Sequence, residues 1–178
     1  MARLRITGGR CRGRVLREAI APGVRPTTDR VREALFSTLG QDLSGLRWLD
    51  AFAGTGIVAL EAWSRGAEVT AIERNRRALA GLKRRGAELD ADWVVLPGDA
   101  LSLAGGLSGF DIVFADPPYA VDPVPVLQAL APTVVDRLIL EVAEGTVLPK
   151  TAPGIALRRI KEYGSTKLGF YETLQAAR

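Results

Sequence analysis

Apolar and polar positions change their period along this chain, and the changes mark out its elements. Leu4–Thr7 and Val15–Leu16 flank a Gly/Arg-rich loop, which predicts a small hairpin. Pro22, Gly23 and Pro26 then interrupt the pattern. Val31, Leu35 and Leu39 recur every four residues, so a helix is expected from a Thr27 or Thr28 cap to about Leu39, closed by Gly40. Beyond it, short apolar runs alternate with helical stretches. Strands are predicted at Trp48–Phe52, Val69–Ile72, Trp93–Leu96, Phe110–Ala115 and Leu138–Val142, and helices at Ile57–Ser64, Asn75–Arg85 and Val124–Leu130. Such alternation implies right-handed crossovers and a doubly wound, mostly parallel sheet covered on both faces. The end changes character, because Ile155–Tyr163 and Leu168–Leu174, joined at Gly164, read as an antiparallel hairpin. The expected architecture is one Rossmann-like α/β domain, residues 25–178, with a basic N-terminal β-hairpin, residues 1–24, as an appendage.

Composition narrows the chemistry. The chain has 178 residues, enough for one sizeable core, and no histidine. That removes Ser-His-Asp and Cys-His triads, histidine bases and HExxH zinc sites. A single cysteine, Cys11, excludes an internal disulfide and a CxxC metal site, so no metal is expected. Carboxylates, amides, hydroxyls, arginines or a bound cofactor must carry any reaction. No run approaches the roughly 18 apolar residues of a membrane span. A soluble, reducing, cytoplasmic setting without a membrane partner is expected.

Charge is unevenly placed. Residues 1–32 hold nine arginines against Glu18 and Asp29, a local net of +7 in a chain whose total is +4, leaving −3 for the remainder. Such a block suits a polyanion, since each phosphate neutralised by arginine releases condensed counterions. Arg5, Arg10, Arg12, Arg14 and Arg30 are the candidate nucleic-acid contacts. A merely solvated, arginine-rich end and an organelle transit peptide are the other two readings. Against the transit peptide, Gly8, Gly9 and Gly13 interrupt the segment and no amphipathic stripe precedes Ala19.

Asp50-Ala51-Phe52-Ala53-Gly54-Thr55-Gly56 lies between a predicted strand and a helix, where α/β folds bind ligands. Gly54 and Gly56 let the backbone turn tightly and approach a ligand. Glu73, 19 positions after Gly54, is spaced to accept hydrogen bonds from ribose hydroxyls. Asp99, with Ala100 beside it, is spaced to accept from an adenine amine. A plain structural turn and an NAD site remain alternatives. Asp50 would repel the pyrophosphate of NAD but attract the ammonium and sulfonium of S-adenosylmethionine. Phe52 and Arg74 flank these groups and belong to the expected cofactor contacts.

Asp116-Pro117-Pro118-Tyr119 follows the predicted strand Phe110–Ala115. Two prolines fix φ and force the residues before them into extended backbone, so the Asp116 side chain and the backbone carbonyls become rigid acceptors. An exocyclic amine on a base is a poor nucleophile because its lone pair is delocalised into the ring. Two acceptors gripping its N–H bonds favour a pyramidal nitrogen and free that pair for a methyl donor, while Tyr119 offers a ring for stacking the base. Taken alone, the tetrapeptide is also satisfied by a proline-rich turn.

Asp50 to Gly56, Glu73, Asp99 and Asp116 to Tyr119 resemble successive motifs of class I S-adenosylmethionine-dependent amino methyltransferases of the D/N-P-P-Y/F type. Three more segments resemble, more narrowly, the bacterial 16S ribosomal RNA guanine-N2 methyltransferase family. They are Arg5-Ile6-Thr7-Gly8-Gly9-Arg10 with Gly13, Arg25 to Phe36, and Tyr163-Gly164 with Leu168 and Tyr171. The resemblance implies a seven-stranded sheet ending in an antiparallel hairpin, with S-adenosylmethionine as cofactor. It implies methylation of one guanine amine, guanine 966 of 16S rRNA, in the small subunit or an assembly intermediate. It further implies closure of Thr27, Thr28 and Arg30 over the cofactor and RNA contact by the N-terminal hairpin. A monomer is expected, although no sequence feature fixes the oligomeric state. Asp116, Pro117 and Tyr119 become the expected catalytic residues. A DNA adenine-N6 methyltransferase shares this chemistry, although a chain this short leaves little room for a sequence-reading domain. A protein-glutamine methyltransferase usually has Asn in place of Asp116. An NAD-dependent oxidoreductase has only the glycine loop in its favour. An idle RNA-binding assembly factor has no use for the Asp116 tetrapeptide.

Overall fold

The computed structural model describes residues 2–18 and 28–174. Thr27, Arg25 and the turn residues Pro22, Gly23 and Pro26 lie outside them. The first strands, β1 (Ala2–Arg5) and β2 (Val15–Glu18), pair antiparallel with Leu4 opposite Leu16. Alternation decides which side is buried. Leu4, Ile6 and Leu16 join the protein's hydrophobic core, while Arg3 and Arg5 point to solvent.

Helix α1 (Asp29–Leu39) starts at Thr28, whose hydroxyl accepts from the Val31 N–H at 3.4 Å. Then β3 (Arg47–Asp50), α2 (Ile57–Ser64), β4 (Glu68–Glu73), α3 (Arg76–Leu89) and β5 (Val94–Pro97) follow in sequence. The expected strand Trp48–Phe52 leaves the sheet at Asp50, where the glycine loop begins. Helix α3 runs a full turn past the expected Arg85, through Gly86, because Trp93 packs directly on that position. A Cβ there would sit 2.3 Å from the indole Nε1. Helix α4 (Ala100–Ala104) has no counterpart among the expected elements. Five residues are too few to display a period, and Asp99 starts it by accepting from the Ser102 N–H at 3.0 Å.

The chain continues through β6 (Phe110–Ala115), α5 (Pro123–Leu130), a 3-10 turn (Ala131–Thr133) and β7 (Val134–Ala143). It ends in β8 (Thr151–Ala152), β9 (Ile155–Tyr163) and β10 (Thr166–Thr173). The large sheet has the order β5-β4-β3-β6-β7-β10-β9-β8. The first five strands are parallel, and β10, β9 and β8 continue antiparallel. The expected seven strands are all present, with the two-residue β8 adding an eighth at the edge.

Successive side chains of the central strands divide between two cores, as period-two alternation requires of a sheet covered on both faces. Trp48, Ile112 and Phe114 face α1, α2 and the N-terminal hairpin. Leu49, Val113 and Ala115 face α4 and α5. Trp48 stacks between Phe36 and Phe114, with ring centroids 5.6 and 6.4 Å away.

The N-terminal hairpin is tied down by α2. Glu61, fully buried in the middle of that helix, pairs with Arg32 and Arg65 and accepts from the Thr7 N–H at 2.7 Å. Arg32 in turn donates to the Arg5 carbonyl at 2.7 Å and to Asp29 at 2.9 Å. At the far end of α2 the Ser64 carbonyl accepts from the Arg10 N–H, and its hydroxyl donates to the Gly8 carbonyl.

Candidate active site

Parallel strands direct their carboxyl ends to one edge of the sheet, and here each of the five delivers an acid there. In strand order from β5 to β7 these are Asp99, Glu73, Asp50, Asp116 and Glu141. All five line one crevice of about 540 Å³, within the size range of nucleotide-sized ligands. Among the described residues that line it, Arg74 is the only basic one, exposed and 3.9 Å from Asp99. The crevice is therefore built for a cation.

Asp50 occupies its centre at 1% exposure. Burial pushes its carboxyl from 3.8 up to about 8; the nearby Asp116 charge adds to this, and backbone N–H groups of Phe52 and Ala59 oppose it. Its Oδ1 has no hydrogen-bond partner among the described residues. Burial also raises the Asp116 carboxyl to about 7. Two interior carboxyls facing one cavity, one with an orphaned oxygen, fit an ammonium and a sulfonium. They do not fit a pyrophosphate.

The glycine loop is held by Glu73. One carboxylate oxygen accepts from the Gly54 N–H at 2.7 Å and the other from the Asn75 N–H at 2.6 Å. Glu73 thus fixes the loop as well as facing the crevice. Gly54 lines the cavity, as does Phe52 beside it. Gly56, expected to admit a ligand, does not line it. Its φ of 73° opens α2, and a Cβ would lie 2.2 Å from Leu82 Cδ2 and 3.2 Å from Trp93. Its small size serves the packing of α2 against α3. Asp99 and Ala100 line the crevice, although one Asp99 oxygen is already engaged by the Ser102 N–H and hydroxyl. Thr28 lines the opening, and Thr27 lies outside the described residues.

Asp116, Pro117, Pro118 and Tyr119 open into the same cavity. Tyr119 is 46% exposed, leaving a ring face for stacking, and its hydroxyl lies 3.4 Å from Thr166 Oγ1. Among the lining residues that the sequence reading did not assign to the site are two polar ones on the far strands, Glu141 and Thr166. For Glu141 the signal was a lone acid in the apolar run Leu138-Ile139-Leu140-Glu141-Val142. For Thr166 there was none, since a threonine beside a hairpin turn is ordinary.

Of the arginines singled out for nucleic acid, Arg5, Arg12, Arg14 and Arg30 are exposed. Arg10 is partly committed elsewhere, with its guanidinium 3.9 Å from the Trp63 ring centroid and 3.9 Å from Asp92. The hairpin loop docks at the carboxyl end of α2, whereas the crevice opens at its amino end. An eight-residue helix separates these points by about 12 Å.

The family described as Conserved hypothetical protein 95 has a model that matches residues 4–172. The chain belongs to this family. Ribosomal RNA small subunit methyltransferase D of Escherichia coli is 44% identical over 119 residues, 65% of this chain and 60% of that protein. The chain thus spans 60% of the length of that curated relative. YlbH of Bacillus subtilis, provisionally named an rRNA methyltransferase, is 31% identical over 185 residues, 95% of this chain and 98% of that protein. The solved structure of yhhF from Escherichia coli, provisionally named a methyltransferase, has a TM-score of 0.84 and 34% identity. It covers 97% of this chain and 98% of its own. The fold is that of class I methyltransferases.

Proposed function

We propose that this protein transfers a methyl group from S-adenosylmethionine to the N2 amine of one guanine in 16S ribosomal RNA of the small subunit. Guanine 966 is the expected target. The carrying observation is that Asp116-Pro117-Pro118-Tyr119 and the glycine loop line one crevice whose charge is almost wholly acidic. The names of the curated relatives support RNA as the substrate class. Exposed Arg3, Arg5, Arg12, Arg14 and Arg30 support a polyanionic partner. With the hairpin loop about 12 Å from the crevice, the RNA is engaged at two separated points.

Asp50, Glu73 and Asp99 hold the cofactor, with Phe52, Gly54, Arg74, Ala100 and Thr28 around it. When bound, S-adenosylmethionine supplies a methyl carbon made electrophilic by the sulfonium. Asp116 and the Pro117 carbonyl accept the two N–H bonds of the amine, turning its lone pair toward that carbon, and Tyr119 stacks the base. With the cofactor bound, the Asp116 carboxylate or water would take the one proton that the nitrogen sheds when the methyl group replaces it. Most of the acceleration comes from alignment and from the loss of charge at sulfur. A monomer working on the subunit or an assembly intermediate completes the reading. Among the described residues, no helix is long and apolar enough to cross a membrane.

The test is incubation with labelled methyl donor and small subunits from cells lacking the enzyme, followed by nucleoside analysis and mapping. N2-methylguanosine at one site is expected. Label in adenine of DNA instead would support the adenine-N6 alternative and overturn this reading.

A further inference from the structure

Beyond the basic N-terminal end, charge is again unevenly spread. Residues 74–85 hold six basic residues and no acid, within a remainder whose net charge is −3. They fall on Arg74 and on helix α3. Arg85 is buried, and Arg84 is engaged within the protein. Arg76, Arg77 and Lys83 are exposed, and their side chains have no ion pair or hydrogen bond among the described residues. A helix face that merely meets water usually sets acids three or four residues from its cations. Here Ala80 follows Arg76 by four positions and Ala87 follows Lys83 by four. Arg76, Ala80, Lys83 and Ala87 form one stripe, in which the two cations lie two turns, about 10 Å, apart with only methyl groups between and beyond them. No acid stands in the first turn of α3, although the positive end of the helix dipole disfavours Arg76 and Arg77 there. Local stability does not account for these cations, whereas a bound anion does.

Position decides which anion. Arg74, just before α3, lines the crevice. Asp92, three residues past the end of α3, accepts from Trp63 Nε1 at 2.6 Å and lies 3.9 Å from Arg10 of the hairpin loop. Helix α3 thus runs from the crevice to the hairpin loop, the two points at which RNA is engaged on the proposed function. We propose that the outer face of α3 is a further RNA-binding surface, where Arg76, Arg77 and Lys83 grip the backbone phosphates of a strand passing from one point to the other. This inference rests on the RNA reading above and adds the path between its two contacts.

The test removes charge while keeping good helix formers. Arg76→Gln with Lys83→Gln is compared with Lys150→Gln with Arg159→Gln, two exposed cations at the opposite edge of the sheet. Binding of small subunits from cells lacking the enzyme is measured across salt. Losing two phosphate contacts should reduce the steepness of log K against log salt by about 1.4–1.8, and the control pair should reduce it by less than about 0.5. An unchanged slope in the α3 pair, or an equal fall in both pairs, overturns the inference. Affinity for S-adenosylmethionine should stay within twofold of wild type. A larger change would assign these cations to the crevice and overturn it as well. A second measurement keeps every charge. An aryl azide is attached through Ala80→Cys in a Cys11→Ser background and photolysed on the subunit. Crosslinks to 16S rRNA are expected. Crosslinks to ribosomal protein alone, or none, overturn the inference even where the Gln variants fail to fold. Subunits that gain no N2-methylguanosine from the wild-type protein would instead fell the parent reading.

Discussion

The buried Asp50–Asp116 pair makes both stability and cofactor binding depend on pH, in a direction fixed by the structure. In the unfolded chain these carboxyls lose their protons near 3.8, whereas in the fold they hold them to about 8 and about 7. The folded state therefore carries more bound protons across that window. Its stability is fullest below about pH 4 as far as these two groups are concerned, and falls as pH rises toward 8. One group protonated only in the fold changes stability by about 1.4 kcal/mol per pH unit. The pair holds nearly two extra protons at pH 6 and fewer than one at pH 8, so the slope sums to about 4 kcal/mol over that window, or a fall of about 8–16 °C in Tm for a chain of this size. A cationic cofactor reverses the preference by favouring both carboxylates. Saturating S-adenosylmethionine should flatten the decline, and binding near pH 6.5 should release between one and two protons, with affinity falling as pH drops from 7.5 to 6. Thermal unfolding across pH, and calorimetry in buffers of different ionisation enthalpy, measure both quantities. Asp50→Asn should remove about half of the pH slope of the free protein or more, and Asp50→Asn combined with Asp116→Asn most of it. A slope that survives in the double variant, or a free-protein Tm that rises from pH 6 to 8, would refute the argument.

Three further outcomes are expected. Asp116→Ala should lower methyl transfer by orders of magnitude while cofactor affinity stays within a few fold, as single-turnover assays and titration would reveal; near-normal turnover would remove Asp116 from its assigned role. Replacing both Arg12 and Arg14 with Ala should weaken RNA binding and reduce the slope of log K against log salt by up to about 2, and an unchanged slope would refute the polyanion contact. Gly56→Ala meets Leu82 at 2.2 Å in left-handed backbone, so urea unfolding should register a loss of at least about 2 kcal/mol.

Period and punctuation made most of the fold legible. Each expected strand and helix from Trp48 to Tyr163 exists, since alternating short apolar runs and capped helices fit few architectures. Boundaries failed where tertiary contact overrides local preference, as at Gly86, a residue that usually weakens helices but here makes room for Trp93. That Asp50, Phe52, Gly54, Glu73 and Asp99 share one crevice was legible because glycine spacing and strand-end acids lie close together in sequence. Gly56 shows the limit of that logic. A glycine in a ligand loop reads the same whether a ligand or a neighbouring helix occupies its missing side chain. Glu61 and Glu141 were illegible for a different reason. An acid within an apolar segment carries no sign of whether it bonds to an arginine 29 residues away or faces a cavity.

The same ambiguity bears on the basic end of the chain. Counting charges treats its nine arginines as equivalent, yet the fold assigns them different work. Arg32 is 1% exposed and joins the Glu61 carboxylate to the Arg5 carbonyl, so it helps fasten the hairpin to α1 and α2. Arg10 lies over Trp63, where a planar cation gains from the ring while part of it remains in water. Arg3, Arg5, Arg12, Arg14 and Arg30 project outward. A flexible basic tail would bind RNA wherever phosphate is dense. Here the hairpin shares a core with α1 and α2 through Leu4, Ile6 and Leu16, so its exposed arginines have fixed positions relative to Asp116. On the proposed function, that rigidity would turn a sequence-independent attraction into a ruler, since phosphates held at the loop would set which nucleotide reaches a crevice that opens one eight-residue helix away. Loosening the Glu61 ties should therefore harm the choice of nucleotide before it harms affinity for RNA.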